Sequence, residues 1–292
     1  MTIFNSINQL ITKAQNEQKS IADIMIEQEV EVSGLTPLDV MNGMELNLKT
    51  MENAAAEGIE GVVSTTGLTG MDALKMQKYI ESGRGLSGDL NLYAIAFAVS
   101  TNEVNAAMGQ ICATPTAGSA GVVPGVLFAM RQKNPDLTRE EMLKFLFTAG
   151  AFGLVVANNA SISGAAGGCQ AEVGSASAMA AAALVEMNGG TPEMCAHAFA
   201  IALKNMLGLV CDPVAGLVEV PCVKRNAAGA SNALTAADMA LAGIESRIPA
   251  DEVVEAMYKI GLTMPSSLRE TGRGGLAATP TGERLKQELF GS

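Results

Sequence analysis

The sequence has no tryptophan, a single histidine and only 4% aromatic residues, so neither a core filled with large rings nor a site built on several imidazoles is open to it. Positive charge is scarce as well. Lys and Arg number 19 against 30 Asp and Glu, a net charge of -11, and basic residues concentrate nowhere beyond the pair Lys224-Arg225. A chain of that sign does not attract a phosphate backbone, so nucleic acid is not an expected partner. Long apolar runs are missing too. Mean hydropathy is +0.25, yet the richest stretch, FLFTAGAFGLVVA, runs only from Phe145 to Ala157 and stops at Asn158-Asn159. A bilayer needs about 20 apolar residues, so no membrane span is expected. The opening MTIFNSINQLITKAQNEQKS lacks a basic n-region and a cleavable apolar core; no signal peptide is expected, and the expected setting is cytoplasmic. Five cysteines, an odd number, argue against a disulfide framework in that setting. Each is a core residue, a metal ligand or a reactive group.

Alternating strand-like runs and repeats of fixed period are nearly absent, and helix signals take their place. Thr36-Pro37-Leu38-Asp39 offers an N-cap, a proline in the first turn and an acid at the third position, predicting a helix from Pro37 to about Glu57 that ends before Gly58. Thr138-Arg139-Glu140-Glu141 reads as a capping box and Thr191-Pro192-Glu193 as another start, while Gly189-Gly190 and Gly261 read as stops. Apolar residues recur at helical spacing in Met239, Leu241 and Ile244, and again in Val253, Val254, Met257 and Ile260. The expected fold is mainly α: one compact multi-helix domain over residues 1–292, with residues 1–60 as an N-terminal helical extension packed on it. Plentiful Ala and Gly let helix backbones approach closely, which suits a chain with few aromatic fillers.

The cysteines divide by context. Cys195 shares an apolar stripe with Phe199, Leu203 and Met206, and reads as a core thiol on the same helix as His197. Cys112 precedes the loop ATPTAGSAG and also reads as core. Cys169 instead closes the small-residue loop SISGAAGGC just before a helix expected near Gln170, where the helix dipole is expected to lower its pKa. Cys211 and Cys222 lie in a loop broken by Pro213, Gly216 and Pro221. Spacings of 42 and 11 residues form no general motif. Three readings stay open: separate core or reactive thiols, a three-thiolate zinc site, or an iron–sulfur cluster.

The segments GCQAEVGSASAMAAAALVEM, LGLVCDPVAGLVEVPCVKRNA and PTAGSAGVVPGVL resemble signature segments of the iron–sulfur-dependent L-serine dehydratases, in particular the separate alpha chain of the two-subunit enzymes. The resemblance runs over essentially the whole chain. It implies glycine-rich loops converging on a [4Fe-4S] cluster held by Cys169, Cys211 and Cys222, with Cys112 and Cys195 outside the ligand set. Single-chain relatives can end in a cysteine that serves as a fourth ligand, whereas this chain ends ELFGS. The implied reaction removes water from L-serine and yields pyruvate and ammonia, and the implied partner is a serine dehydratase beta chain. Two hydroxyl- and glycine-rich turns suit a substrate carboxylate: one with Ser64, Thr66 and Gly67, the other with Thr116, Gly118 and Ser119. The expected general base is less defined, being either Lys224 or a group supplied by the beta chain. Competing readings are an electron carrier, a sensor of oxygen or zinc, and a lyase acting on another beta-substituted amino acid.

Overall fold

The computed structural model describes residues 3–291. Thirteen α-helices follow in order: α1 (Ile7–Glu17), α2 (Ile21–Ser33), α3 (Pro37–Glu60), α4 (Asp72–Glu81), α5 (Asp89–Ala106), α6 (Val122–Lys133), α7 (Arg139–Asn159), α8 (Gly164–Gly167), α9 (Ser175–Met187), α10 (Pro192–Met206), α11 (Cys222–Leu241), α12 (Ala250–Thr263) and α13 (Pro280–Phe290). Among the described residues β-structure is confined to two isolated bridges, so the mainly helical expectation holds. No helix among them is long and apolar enough to cross a membrane.

Local chemistry starts the helices where the sequence indicates. The Thr36 and Thr138 hydroxyls each accept from the N–H three residues on, and Asp39 and Glu141 reach back to complete capping boxes. Thr191 caps α10 ahead of Pro192 in the first turn. Of the predicted stops, Gly189-Gly190 holds, with α9 ending at Met187 and Gly189 at φ +78°, while two others do not. α3 continues through Gly58 to Glu60, and α12 continues through Gly261 to Thr263. Both glycines serve close packing instead. A Cβ on Gly58 would lie 2.4 Å from the Ser100 carbonyl oxygen, and one on Gly261 would lie 2.9 Å from the Gly167 Cα. Helix contacts of this kind outweigh the roughly 1 kcal/mol by which glycine disfavours a helix interior.

α9 is the axis of the molecule, buried from Ser175 to Val185. It packs against α7, α10 and α11; α5 and α6 lie together beyond α11, with α3 and α4 against α5. α2 lies on α7 and α1 on α10 and α12. Leu10, Ile21, Ile24 and Leu48 of the first three helices enter the same core as Phe152 and Phe199, whose rings stack 5.2 Å apart. The small side chains that make up most of α9 let α7, α10 and α11 crowd around it. Loops at one end of this bundle are thereby held by short, rigid spans.

Candidate functional site

At that end the segments before α9, α11 and α6 meet. Gly168 has φ +78°, and a Cβ there would lie 2.6 Å from Met264 Sδ and 2.9 Å from the Leu209 oxygen, so the turn closes only around glycine. Cys169 follows, at the start of a π-helical segment, Gln170–Gly174, that runs directly into α9. Gln170 is fully buried and fully paired. Its Nε2 donates to the Gly167 and Met257 oxygens at 2.9 and 3.0 Å, and its Oε1 accepts from the Gly208 N–H at 2.9 Å. Its own N–H donates to the Leu209 oxygen at 2.9 Å. One amide side chain thus fixes the Cys169 turn to the segment that carries Cys211.

Cys211 is held from the other side by the chain beyond α12. Its N–H donates to the Leu268 oxygen at 2.8 Å, and its carbonyl accepts from the Glu270 N–H at 2.7 Å. Asp212 then accepts from Arg225 at 2.8 Å and from the Leu276 N–H at 2.7 Å. The stretch Leu268–Leu276 therefore packs over the Cys211 loop. Cys222 is the first residue of α11 rather than a loop residue. One turn on, buried Asn226 donates to the Cys222 and Gly118 oxygens at 2.9 and 2.8 Å and accepts from the Gly121 N–H at 3.1 Å. This ties the third cysteine to the turn bearing Thr116, Gly118 and Ser119.

All three thiols are buried, at 3%, 3% and 6% exposure for Cys169, Cys211 and Cys222. Burial pushes Cys169 up to about 11 and Cys222 up to about 12, and drives Cys211 still higher. Cys169 and Cys222 each raise Cys211 further by charge repulsion, while the Arg225 guanidinium opposes the rise at Cys169 and Cys222. The expected lowering of Cys169 by a helix dipole is thus reversed, because desolvation of the thiolate outweighs a terminus that begins with a π turn. Among the described residues one set of three candidate donors gathers within 4.8 Å: Glu172, Cys211 and Glu270. The three sulfurs do not close to that distance together. Three thiolates on one zinc ion would stand roughly 4 Å apart, since each Zn–S bond is about 2.3 Å. Gly164 leaves room beside Cys211, since a Cβ there would lie 3.1 Å from its Sγ.

A family model described as "Serine dehydratase alpha chain" matches residues 16–277. The chain belongs to that family. It is 69% identical over 290 residues to the "Probable L-serine dehydratase, alpha chain" of Bacillus subtilis (strain 168), covering 99% of this chain and 96% of that one. It is 42% identical over 289 residues to the "L-serine dehydratase, alpha chain" of Peptoniphilus asaccharolyticus, covering 99% of both. An L-serine dehydratase of Escherichia coli (strain K12) is 35% identical over 284 residues; the match takes in 94% of this chain but 61% of that longer protein.

Within this family member the two hydroxyl turns each end on a carboxylate. Thr66 Oγ1 donates to both oxygens of Glu219 at 2.9 Å, and Thr116 Oγ1 donates to Glu172 at 2.7 Å. Ser64 lies 3.3 Å from the Thr66 hydroxyl, Gly67 is exposed at φ +74°, and Ser119 is buried with its hydroxyl on the Thr114 oxygen. Glu219 precedes Cys222 by one turn of chain, and Glu172 follows Cys169 by one, so each turn is joined to a cysteine segment. Burial pushes the Glu172 carboxyl above its ordinary range, opposed by the Thr116 hydrogen bond and reinforced by Glu270.

Lys224 lies apart from the thiols' enclosure, 62% exposed and paired with Asp72 at 2.6 Å. Cys195 is fully buried in the core, and Cys112 stands beyond the end of α5, half-buried. His197 accepts from the Ser246 N–H at 3.2 Å, on α10 and away from this end. The residues missed from sequence are Gln170, Glu172, Glu219, Asn226 and Glu270. Glu172 carries a visible signal, an acid inside the small-residue run GCQAEVGSASAMAAAAL. Glu270 has none, because only the return of the chain after α12 brings it to Cys211.

Proposed function

We propose that this chain is the alpha subunit of an L-serine dehydratase that converts L-serine to pyruvate and ammonia, with Cys169, Cys211 and Cys222 holding a [4Fe-4S] cluster. The observation that carries the reading is the meeting of three buried thiols from segments 42 and 11 residues apart. Family membership and the names of the relatives support the substrate and reaction. When bound, the cluster supplies a Lewis-acidic iron for the substrate hydroxyl, which is otherwise a poor leaving group.

This chain's own residues bind and orient. The N–H groups of Ala117 and Gly118, which open the turn Ala117–Ser119, donate to no protein acceptor among the described residues and suit a substrate carboxylate. Thr116 and Asn226 fix that turn from either side. The closely packed walls around the thiols exclude water, which strengthens each of these contacts. Removal of the alpha proton needs a base near its working pH. With Lys224 exposed and ion-paired, and His197 elsewhere, the beta chain is the proposed source of that base. Anaerobic reconstitution with and without the beta chain, assayed for pyruvate, tests the reading. The two-chain enzyme should turn over serine and lose activity in air, and the single chain should bind iron yet turn over poorly. Air-insensitive activity after chelation would contradict it.

A further inference from the structure

Glu172 and Glu270 set two carboxyl groups beside Cys211. Their carboxylate oxygens lie within 4.8 Å of each other and of Cys211 Sγ. Glu172 is only 7% exposed. One of its oxygens accepts from the Thr116 hydroxyl at 2.7 Å and the other from the Cys211 thiol at 3.8 Å, a donor that Cys211 gives up as a cluster ligand. The Glu270 side chain accepts no hydrogen bond among the described residues, and neither carboxylate has a lysine or arginine partner there. The nearby guanidinium of Arg225 is already spent on Asp212 and the Val210 oxygen.

Glu270 is nevertheless fixed in place. Its N–H donates to the Cys211 oxygen, and its φ of +60° is one that side chains rarely adopt. Gly164 and Gly118 leave the space around Glu172 open: a Cβ on the first would lie 2.5 Å from a Glu172 oxygen, and on the second 3.1 Å. Two acids held together beside a bound cluster gain no relief from its three thiolates, which add negative charge. They call for a mobile cation with several N–H donors. An amino-acid substrate brings one, its α-ammonium.

We infer that Glu270, backed by Glu172, receives the α-ammonium of the substrate and so selects an amino acid over the corresponding hydroxy acid. The inference rests on the dehydratase reading above. The test uses the anaerobically reconstituted two-chain enzyme, wild type and the variants Glu270→Gln and Glu270→Asp, each first checked for equal iron content. The cluster spectrum is titrated with L-serine and with L-glycerate, which carries a hydroxyl where serine carries the ammonium. Wild type should bind serine more tightly than glycerate. Glu270→Gln should weaken serine at least about tenfold while leaving glycerate unchanged or tighter, and Glu270→Asp should keep the preference for serine. Equal serine binding by wild type and Glu270→Gln, or equal weakening of both ligands, would overturn this inference alone. A wild-type spectrum that answers to neither ligand would overturn the dehydratase reading, and this inference with it.

Discussion

Gln170 does more positional work than any cysteine it serves. Its side chain makes three hydrogen bonds inside the protein, joining the Cys169 turn, the Cys211 segment and α12. Gln170→Leu removes all three at nearly constant volume and takes the partner from the Gly208 N–H and the Gly167 carbonyl. The expected cost is about 3 kcal/mol of stability, read by chemical denaturation of the metal-free chain, with a lower iron content after reconstitution. Thr116 is a quieter case. Thr116→Val keeps the shape and deletes the donor to Glu172, so the fold should lose only about 1 kcal/mol. Its signature should be a raised KM for serine with stability nearly unchanged, because the carboxylate it steadies is freed to turn.

Among elements, the segment Leu268–Leu276 is the one that closes the site. It is pinned by backbone hydrogen bonds on both sides of Cys211 and by Asp212. Gly275 makes the contact possible: its φ is +59°, and a Cβ would lie 2.3 Å from Asp212 Oδ2. Gly275→Ala should therefore lift this segment without unfolding the bundle, and cost about 1–3 kcal/mol locally. Hydrogen exchange should rise at residues 268–276 and stay unchanged in α9; uniform exchange throughout would contradict the role given to the segment. The caps and the helical class are legible in the sequence because an N-cap threonine and its acid act within four residues. The fates of Gly58 and Gly261 are not, since what replaces their missing side chains lies on a distant helix or loop. The same limit explains the site. Cys169, Cys211 and Cys222 stand out by loop context and family resemblance, whereas Glu270 and Gln170 gain meaning only from partners that the fold supplies.

At the scale of the whole molecule, a chain poor in aromatic rings builds a dense helical bundle and buries three thiols at one end of it. That burial has a pH consequence for the metal-free protein. Thiols with an ordinary pKa near 9 are held at about 11 for Cys169 and about 12 for Cys222. Between these values the unfolded chain releases protons that the folded chain keeps. The stability these thiols contribute is present below about pH 9 and is lost as pH rises through about 11 to 12. Urea midpoints of the metal-free chain should fall across that window, and replacing Cys169 and Cys222 by Ala should flatten the fall. Binding a cluster must expel the same protons, so reconstitution near neutral pH should release acid.

The most direct measurement is Mössbauer spectroscopy of the two-chain enzyme reconstituted with iron-57, before and after L-serine. The account predicts a four-iron cluster in which one iron differs from the other three and alone responds to serine, with cluster yield falling on substitution of Cys169, Cys211 or Cys222 by Ser. Four equivalent irons indifferent to serine, or a full cluster retained without those cysteines, would contradict it.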